Sequence, residues 1–279
     1  MGDTIEVIGN GSVIQHGAHN DRIYLMKLDE QDVDIIIPEI SRLASEKSYS
    51  KIFCKVPKHT AALFFAYGYV LEATIPKFYN KKDDVFFVSK FLNTDRLLNI
   101  EKEQLSVLSN LLRDKPKKKS NHEKRTSGYS LRKLNKSDVE QITKIYQAVF
   151  ETYPFPIHNP EYILETMQED VQYFGAEKDG RLAALSSAEI DFKGQNVEMT
   201  DFATHPEHTG NNLSGLLLEE MEKQMKMQNI PTFYTIARLN STPMNLTFLR
   251  NNYKYSGTLI KNTNIAGKIE SMNVYYKQV

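Results

Sequence analysis

An α+β fold built on mixed sheets follows from three features of this 279-residue sequence. Stretches with helical apolar period alternate with short strand-like stretches along nearly the whole chain. Residues 196–228, NVEMTDFATHPEHTGNNLSGLLLEEMEKQMKMQ, read as a strand, a tight polar loop and a helix with Leu213, Leu216, Leu217, Met221 and Met225 on its apolar face. A strand-helix-strand-strand order also occurs twice, with Phe64 and Phe248 each five residues before Tyr69 and Tyr253.

Composition bounds the rest. A hydrophobic content of 41% with 25% charge is that of a globular chain able to bury a core. Lys plus Arg equals Asp plus Glu at 35 each, so no net field points to nucleic acid or an anionic membrane. Cys54 is the sole cysteine, which excludes an intramolecular disulfide framework and fits a reducing compartment. The longest apolar run, near 61–71, is too short to span a bilayer, and Glu6 stands where a myristoylation signal needs Ser or Thr. The expectation is a soluble cytoplasmic protein, and a homodimer is compatible with it.

In chain order, strands are expected at 12–16 and 22–28, a helix at 31–47, a strand at 51–56, a helix at 58–66 and strands at 69–75 and 84–91. A helix at 94–112 follows, then DKPKKKSNHEKRTSG at 114–128, charged and proline-bearing without apolar period, which reads as a solvated linker. From 129 onward a strand at 129–134 precedes helices at 138–150 and 160–167, the first with Val139, Ile142, Ile145, Tyr146 and Val149 on one face. Strands at 171–177, 181–191 and 197–204 form a meander; a strand at 233–237, a helix at 242–251 and strands at 253–260 and 271–277 close the chain. This organisation divides into 1–92, a partial βαββ module; 93–128, a helix and basic linker; and 129–279, a complete domain.

Chemistry concentrates at 196–228. The first amides of a helix lack intrahelical partners and the helix dipole is positive there, so a loop entering a helix start is an anion site. Gly210 supplies backbone freedom, and Asn211 and Asn212 tolerate left-handed conformations. In the strand before the loop, alternation places Glu198 in a largely buried position with Asp201 close by, and carboxylates are rarely buried without a partner or a purpose. The pairs His16 with His19 and His205 with His208 have metal-like spacing but no third patterned ligand, so no metal site is assigned.

The acid-bearing strand, the Gly210 loop and the Leu-rich helix together resemble the acetyl-CoA signature of the GNAT acetyltransferases. That family's loop reads Gln/Arg-x-x-Gly-x-Gly/Ala, and this chain has Glu207, Gly210 and Asn212 in those slots. The expected fold is therefore a C-terminal GNAT domain preceded by a partial GNAT-like βαββ module without a cofactor loop. Three further runs, residues 15–27, Tyr153-Pro154-Phe155-Pro156 and Met199-Thr200-Asp201-Phe202-Ala203-Thr204, are similar to those of the β-lysine N6-acetyltransferases, as is the terminal stretch 257–274. The resemblance implies acetyl transfer from acetyl-CoA to the terminal amine of β-lysine, giving a compatible solute.

It also implies roles. The donor would contact Phe202, Ala203, Thr204, His208, Thr209, Gly210, Asn211, Asn212, Leu213 and Ser214, with Asn245 on the pantetheine arm and Asn240 or Ser241 nearer the usual register. An aliphatic ammonium of pKa ~10.4 must lose a proton before it attacks a thioester. Glu198 is the first choice of base, Asp201 the second if a bulge brings it to the same face, and Glu189 the third. Amides near 202–204 would form the oxyanion hole. Phe248 fills the slot of the family's acid tyrosine, so the thiolate leaves unprotonated, takes a proton from water, or uses Tyr253, Tyr255 or Tyr234. Tyr153 and Phe155 would line the acceptor site. Arg22, Arg238 or Arg250 could take the substrate carboxylate, and Glu270 or Asp21 its second ammonium. Two classes remain open: an acetyltransferase, on β-lysine or another small amine, or an inactive acyl-CoA-binding module.

Overall fold

The computed structural model describes residues 3–114, 116 and 128–279, so most of the expected basic linker lies outside the described residues. Two mixed sheets carry the fold. The first is formed by β1 (Thr4–Ile8), β2 (Ser12–Gly17), β3 (Arg22–Lys27), β4 (Lys51–Pro57), β5 (Val70–Tyr79) and β6 (Asp83–Phe91), with α1 (Val33–Glu46) and α2 (Ala61–Ala66) between strands. After α3 (Thr94–Leu98) and α4 (Lys102–Asp114), the second contains β7 (Ser130–Lys133), β8 (Val171–Lys178), β9 (Arg181–Asp191), β10 (Asn196–Thr204), β11 (Thr232–Arg238), β12 (Lys254–Ile265) and β13 (Lys268–Gln278). Its helices are α5 (Val139–Val149), α6 (Pro160–Gln168), α7 (Leu213–Met227) and α8 (Thr242–Arg250).

The strand orders are β1-β2-β3-β4-β6-β5 and β12-β13-β11-β10-β9-β8-β7. Read from β1 and from β8, they match strand for strand. In each, one parallel pair, β3 with β4 and β10 with β11, sits amid antiparallel neighbours. The first sheet thus holds more than the expected βαββ unit: it has counterparts of β8, β9 and β10 and lacks one for β7 and for the α5–α6 pair. The added strand β1 is an exposed edge, with Ile5 48% and Val7 69% accessible. Its buried neighbour could not reveal it, but the Gly9-Asn10-Gly11 turn before β2 was a usable hairpin signal.

The expected helix at 94–112 is broken at Asn99. The break frees Glu101, whose carboxylate accepts from the Ser271 amide at 3.0 Å and hydroxyl at 2.6 Å, while Arg96 donates to the carbonyls of Asn20, Asp21 and Lys261. These bonds tie the connecting helices to both sheets. The last hairpin is longer than expected, since β12 and β13 continue to the turn at Ala266-Gly267.

Packing forms layers. One face of the second sheet is covered by α7, α8 and α4 through Met199, Leu217, Leu218, Met221, Phe233 and Phe248. Its other face is shared: α5 and α6 cover the β8–β9 side through Ile142, Tyr146, Ile163 and Leu185, and the first sheet covers the β11–β13 side. There Tyr24, Phe53, Ile75, Phe78 and Phe87 meet Tyr234, Leu259, Met272 and Val274. No helix among the described residues is long and apolar enough to cross a membrane.

The two sheets approach most closely at β5 and β12. A Cβ on Gly257 would lie 2.0 Å from the Glu72 carbonyl oxygen, a backbone atom with nowhere to move. Gly257→Ala is therefore expected to lower stability by ~1–3 kcal/mol, read as a fall in the denaturant midpoint; an unchanged midpoint would show that this edge contact is not tight.

Candidate active site

The site begins where two parallel strands part. β10 pairs with β11 only at Asn196, Val197 and Glu198, opposite Thr232, Phe233 and Tyr234. On its other edge β10 follows β9 until Thr200, where the register jumps from Thr200↔Ser187 to Ala203↔Leu185, so Asp201 and Phe202 face one β9 residue. This is a β-bulge, and Asp201 adopts φ +54°, a conformation few residues other than Gly, Asn and Asp accept. The bulge turns β10 away from β11 and opens a wedge. A cavity of about 200 Å³ occupies it, lined by Thr200, Asp201, Phe202, Ile236, Arg238 and Ser241, with Tyr153 and Met272 on the first-sheet side and Met244 and Phe248 on the other.

Below the wedge lies the expected anion loop. Pro206–His208 form a short turn, Gly210 has φ +83° with open space around it, and Asn212 has φ +56° at the start of α7. The Gly215 and Leu216 amides bond back to the Asn212 carbonyl, no side chain caps the helix, and its first turn carries no acid. Amides and dipole there favour a phosphate group. His208 is fixed by its Nδ1 contact to the Tyr129 hydroxyl at 2.9 Å, and Asn211 Nδ2 donates to the His208 carbonyl at 2.9 Å, so both side chains shape the loop. Leu213 is core, whereas Thr209 and Ser214 are accessible.

On the face opposite α7, the carboxylates converge at the seam between α5–α6 and the first sheet. Glu198 and Glu189 stand directly opposite each other across β10 and β9. Burial drives both upward from the ordinary carboxylate range; each also feels Asp201, and the Lys55 charge from β4 opposes the rise. The Tyr234 hydroxyl and the Ile236 amide, just past the point where the β10–β11 ladder ends, oppose that rise in Glu198.

The bulge brings Asp201 to the same side. Its carboxylate accepts from the Tyr153 hydroxyl, and from Ser187 Oγ at 2.6 Å. Burial raises its pKa while these bonds pull it back. Tyr153, Tyr162 and Tyr24 hydroxyls all feel these acids and are pushed upward chiefly by burial.

Other expected residues fall elsewhere. Asn245 is 2% exposed, and its amide is consumed: Nδ2 donates to the carbonyls of Arg238, Leu239 and Ser241, while Oδ1 accepts from Asn273 Nδ2 and the Tyr275 hydroxyl. It holds the β11–α8 turn and has nothing left for a pantetheine arm; Ser241 lines the cavity instead. Phe155 packs with Ile157 in the α5–α6 core, away from the cavity that Tyr153 lines. Arg238 and Glu270 grip each other in a two-pronged ion pair, 2.9 Å on each arm, with Arg238 at the cavity wall. Arg22 is committed to Asn262 and Thr263, and Asp21 to Ser50. The sequence reading missed Lys55, Tyr24 and Tyr162; their alternation within apolar segments gave no hint that their faces meet the acids.

A splayed parallel pair, a bulged acid-bearing strand and an uncapped helix start define an acyl-CoA-dependent N-acyltransferase. A family model described as acetyltransferase (GNAT) domain matches residues 130–245. The chain is 44% identical over 269 residues to a β-lysine N6-acetyltransferase of Methanococcus maripaludis, covering 96% of each. It is 30% identical to another of that name from Methanosarcina mazei, over 86% of this chain and 95% of the relative, and 28% identical to the N-acetyltransferase YodP of Bacillus subtilis over 99% of both. The chain belongs to the GNAT acetyltransferases, in the family represented by the β-lysine N6-acetyltransferases. It is an acetyl-CoA-dependent N-acetyltransferase.

The raised Glu189 gives a stability test. A carboxyl whose folded pKa is raised stabilises the fold fully below its unfolded value, near 4.5, and loses that contribution as pH rises through the folded value. Glu189→Gln cannot ionise, so it should melt above the parent at pH 8 with the gap closing below about pH 4.5. A gap independent of pH would show that Glu189 carries no such penalty.

Proposed function

We propose that this enzyme acetylates the terminal amine of β-lysine, with Glu198 as base. The observation that carries this reading is the convergence of Glu198, Glu189 and Asp201 beside a wedge whose opposite side faces the phosphate loop. Three acids suit an acceptor with two ammonium groups, and the relatives named above for β-lysine span nearly the whole chain.

The chain's residues then act in order. Loop amides from Gly210 to Ser214 hold the donor's pyrophosphate, and Ser241, Met244 and Phe248 wall the arm that enters the wedge. The acetyl carbonyl lies against the β10 amides at 202–204, whose β11 side is unpaired. Glu198 sits one pleat from Thr200 at the cavity wall and takes the ammonium proton directly or through one water. The freed amine attacks the carbonyl carbon, the oxyanion is held by amides, collapse breaks the C–S bond, and the nitrogen gives up its second proton to water or to the departing thiolate.

CoA leaves as thiolate, a better leaving group than the amine that attacked. Among the described residues, none of the three candidate tyrosines lines the cavity: Tyr255 bonds Thr258, Tyr234 lies beside Glu198, and Tyr253 is buried in the core around Phe248. Asp201 orients Tyr153 over the acceptor. Arg238, with its Nε and Nη2 held by Glu270, presents the remaining Nη1 to the substrate carboxylate. The reaction runs in the cytoplasm on a small molecule, with no nucleic acid or membrane required.

An acceptor screen following thiol release should give β-lysine the highest kcat/KM, at least about tenfold above α-lysine, polyamines and a lysine peptide. A better alternative acceptor would overturn the substrate, and CoA binding without thiol release would leave only a binding module. Glu198→Gln should lower kcat/KM by about 10²–10⁴ near neutral pH, with the loss narrowing toward pH ~10. An unchanged pH–rate profile would remove Glu198 as base.

A further inference from the structure

Among the described residues, the half of the chain without a phosphate loop faces the acids with a single cation. Strand alternation along β4 sends Cys54 and Val56 into the core beneath α1, and Phe53 toward the second sheet, where it meets Tyr24 and Phe87. Lys55 follows at the rim of that seam, in a setting where a lysine needs a partner. Among the described residues, the hydrogen-bond partner of its Nζ is the Tyr234 hydroxyl at 3.4 Å, and the ammonium lies 5.8 Å from the centre of the same ring. The Tyr234 hydroxyl in turn lies against the Glu198 carboxylate, and each shifts the other's pKa. One hydrogen bond thus links β4 of the first sheet to β11 of the second, where Tyr234 acts on Glu198 of β10.

The charges around it make the consequence specific. Facing Glu198 are Glu189 from β9, Asp201 from β10, Tyr234 from β11 and Tyr24 from β3; toward the helices, Tyr153 and Tyr162 face Glu189 and Asp201. Tyr79 of β5 lies nearer Asp191. Arg238 is neutralised by Glu270, and the remaining nearby carboxylates repel one another. Lys55 is the cation felt by both Glu189 and Glu198.

We propose that Lys55 is a positioning residue for acetyl transfer: through the Tyr234 hydroxyl, its ammonium keeps the Glu198 carboxylate ionised and turned toward the acceptor amine. This rests on Glu198 being the base. It gives the first sheet a chemical role as well as a covering one, because a GNAT sheet without its companion would present three mutually repelling acids and no compensating cation.

The test is the pH profile of kcat/KM with acetyl-CoA and β-lysine for the full chain and its Lys55→Met, Lys55→Arg and Tyr234→Phe variants. An opposite charge at this range holds a carboxyl down by about 1 unit or more, so Lys55→Met should move the acid limb up by about 1 pH unit. Lys55→Arg should restore the parent limb, and Tyr234→Phe should shift it in the same direction as Lys55→Met. A Lys55→Met limb coincident with the parent's, whatever its plateau, overturns the proposal. If the parent releases no thiol with β-lysine, the substrate reading fails instead. The proposal is then read from melting temperature against pH: without Lys55 the loss of stability on ionising the glutamate pair should move to higher pH, and an unmoved curve refutes it. Should Lys55→Met not fold, Lys55→Gln and Tyr234→Phe carry the same two measurements.

Discussion

Everything at this site depends on the separation of β10 from β11 after three residue pairs. Parallel neighbours normally satisfy one another's amides along their whole length, and an unpaired buried amide costs about as much as a lost hydrogen bond. The bulge at Asp201 and Phe202 makes the separation unavoidable, since it bends β10 while β11 stays in register with β13 over seven residues. Amides on both sides of the wedge then need acceptors. The Ile236 amide acts on Glu198 on one side, and on the other the β10 amides past Glu198 have no β11 partner. The strained backbone of Asp201 is held in place by Tyr153 and Ser187, so the feature that opens the wedge is anchored by groups that also line or border the cavity.

Covering the acids with a second sheet is costly, because each buried carboxylate loses hydration. The joint between the sheets offsets this with an apolar centre, Phe53, Phe78, Phe87, Leu259 and Val274, and specifies its register with polar contacts at the edge. Lys51, fully buried, donates to Glu72 at 2.9 Å and to the Ile260 carbonyl at 2.7 Å, and Glu72 accepts from the Ile260 amide. Burial lowers the Lys51 ammonium to about 8 despite that partner. A buried pair of this kind adds little net stability over an apolar substitute, but it fits only one alignment of β5 against β12. That alignment is what places Lys55 and Tyr24 over Glu198.

Local pattern made much of this legible. The 196–228 stretch, the meander and the helices around it follow from period and turn chemistry, because each buries one face against one neighbour. The run of the first sheet was readable from Ser12 onward for the same reason. What sequence could not give was the meeting of faces. Lys55 alternates with core residues of its own sheet and looks like any solvated lysine until a second sheet is placed opposite. Arg238 and Glu270 lie far apart in sequence and were each readable as a separate ligand, but β11 and β13 put them side by side, where opposite charges pair. Asn245 was misassigned because residue type and register carry no information on whether an amide's donors are already used. The bulge, by contrast, was anticipated only as a condition, since no periodicity identifies the residue at which a strand will add one.

The departures of the loop from the Gln/Arg-x-x-Gly-x-Gly/Ala pattern bear on whether it can hold a pyrophosphate at all. Glu207 would be harmful if its carboxylate faced the anion, but its side chain is 81% exposed and lies 3.9 Å from His205, so its charge is spent in solvent. Asn212 would be harmful if the slot required glycine for its small size. The slot requires a left-handed backbone instead, φ +56°, which Asn adopts at little cost, and the space its side chain needs is supplied three residues later by Gly215. A Cβ at Gly215 would come within 2.7 Å of that side chain. The loop has therefore moved its compact residue along the helix, keeping the uncapped amides and giving up the pattern by which they are usually recognised.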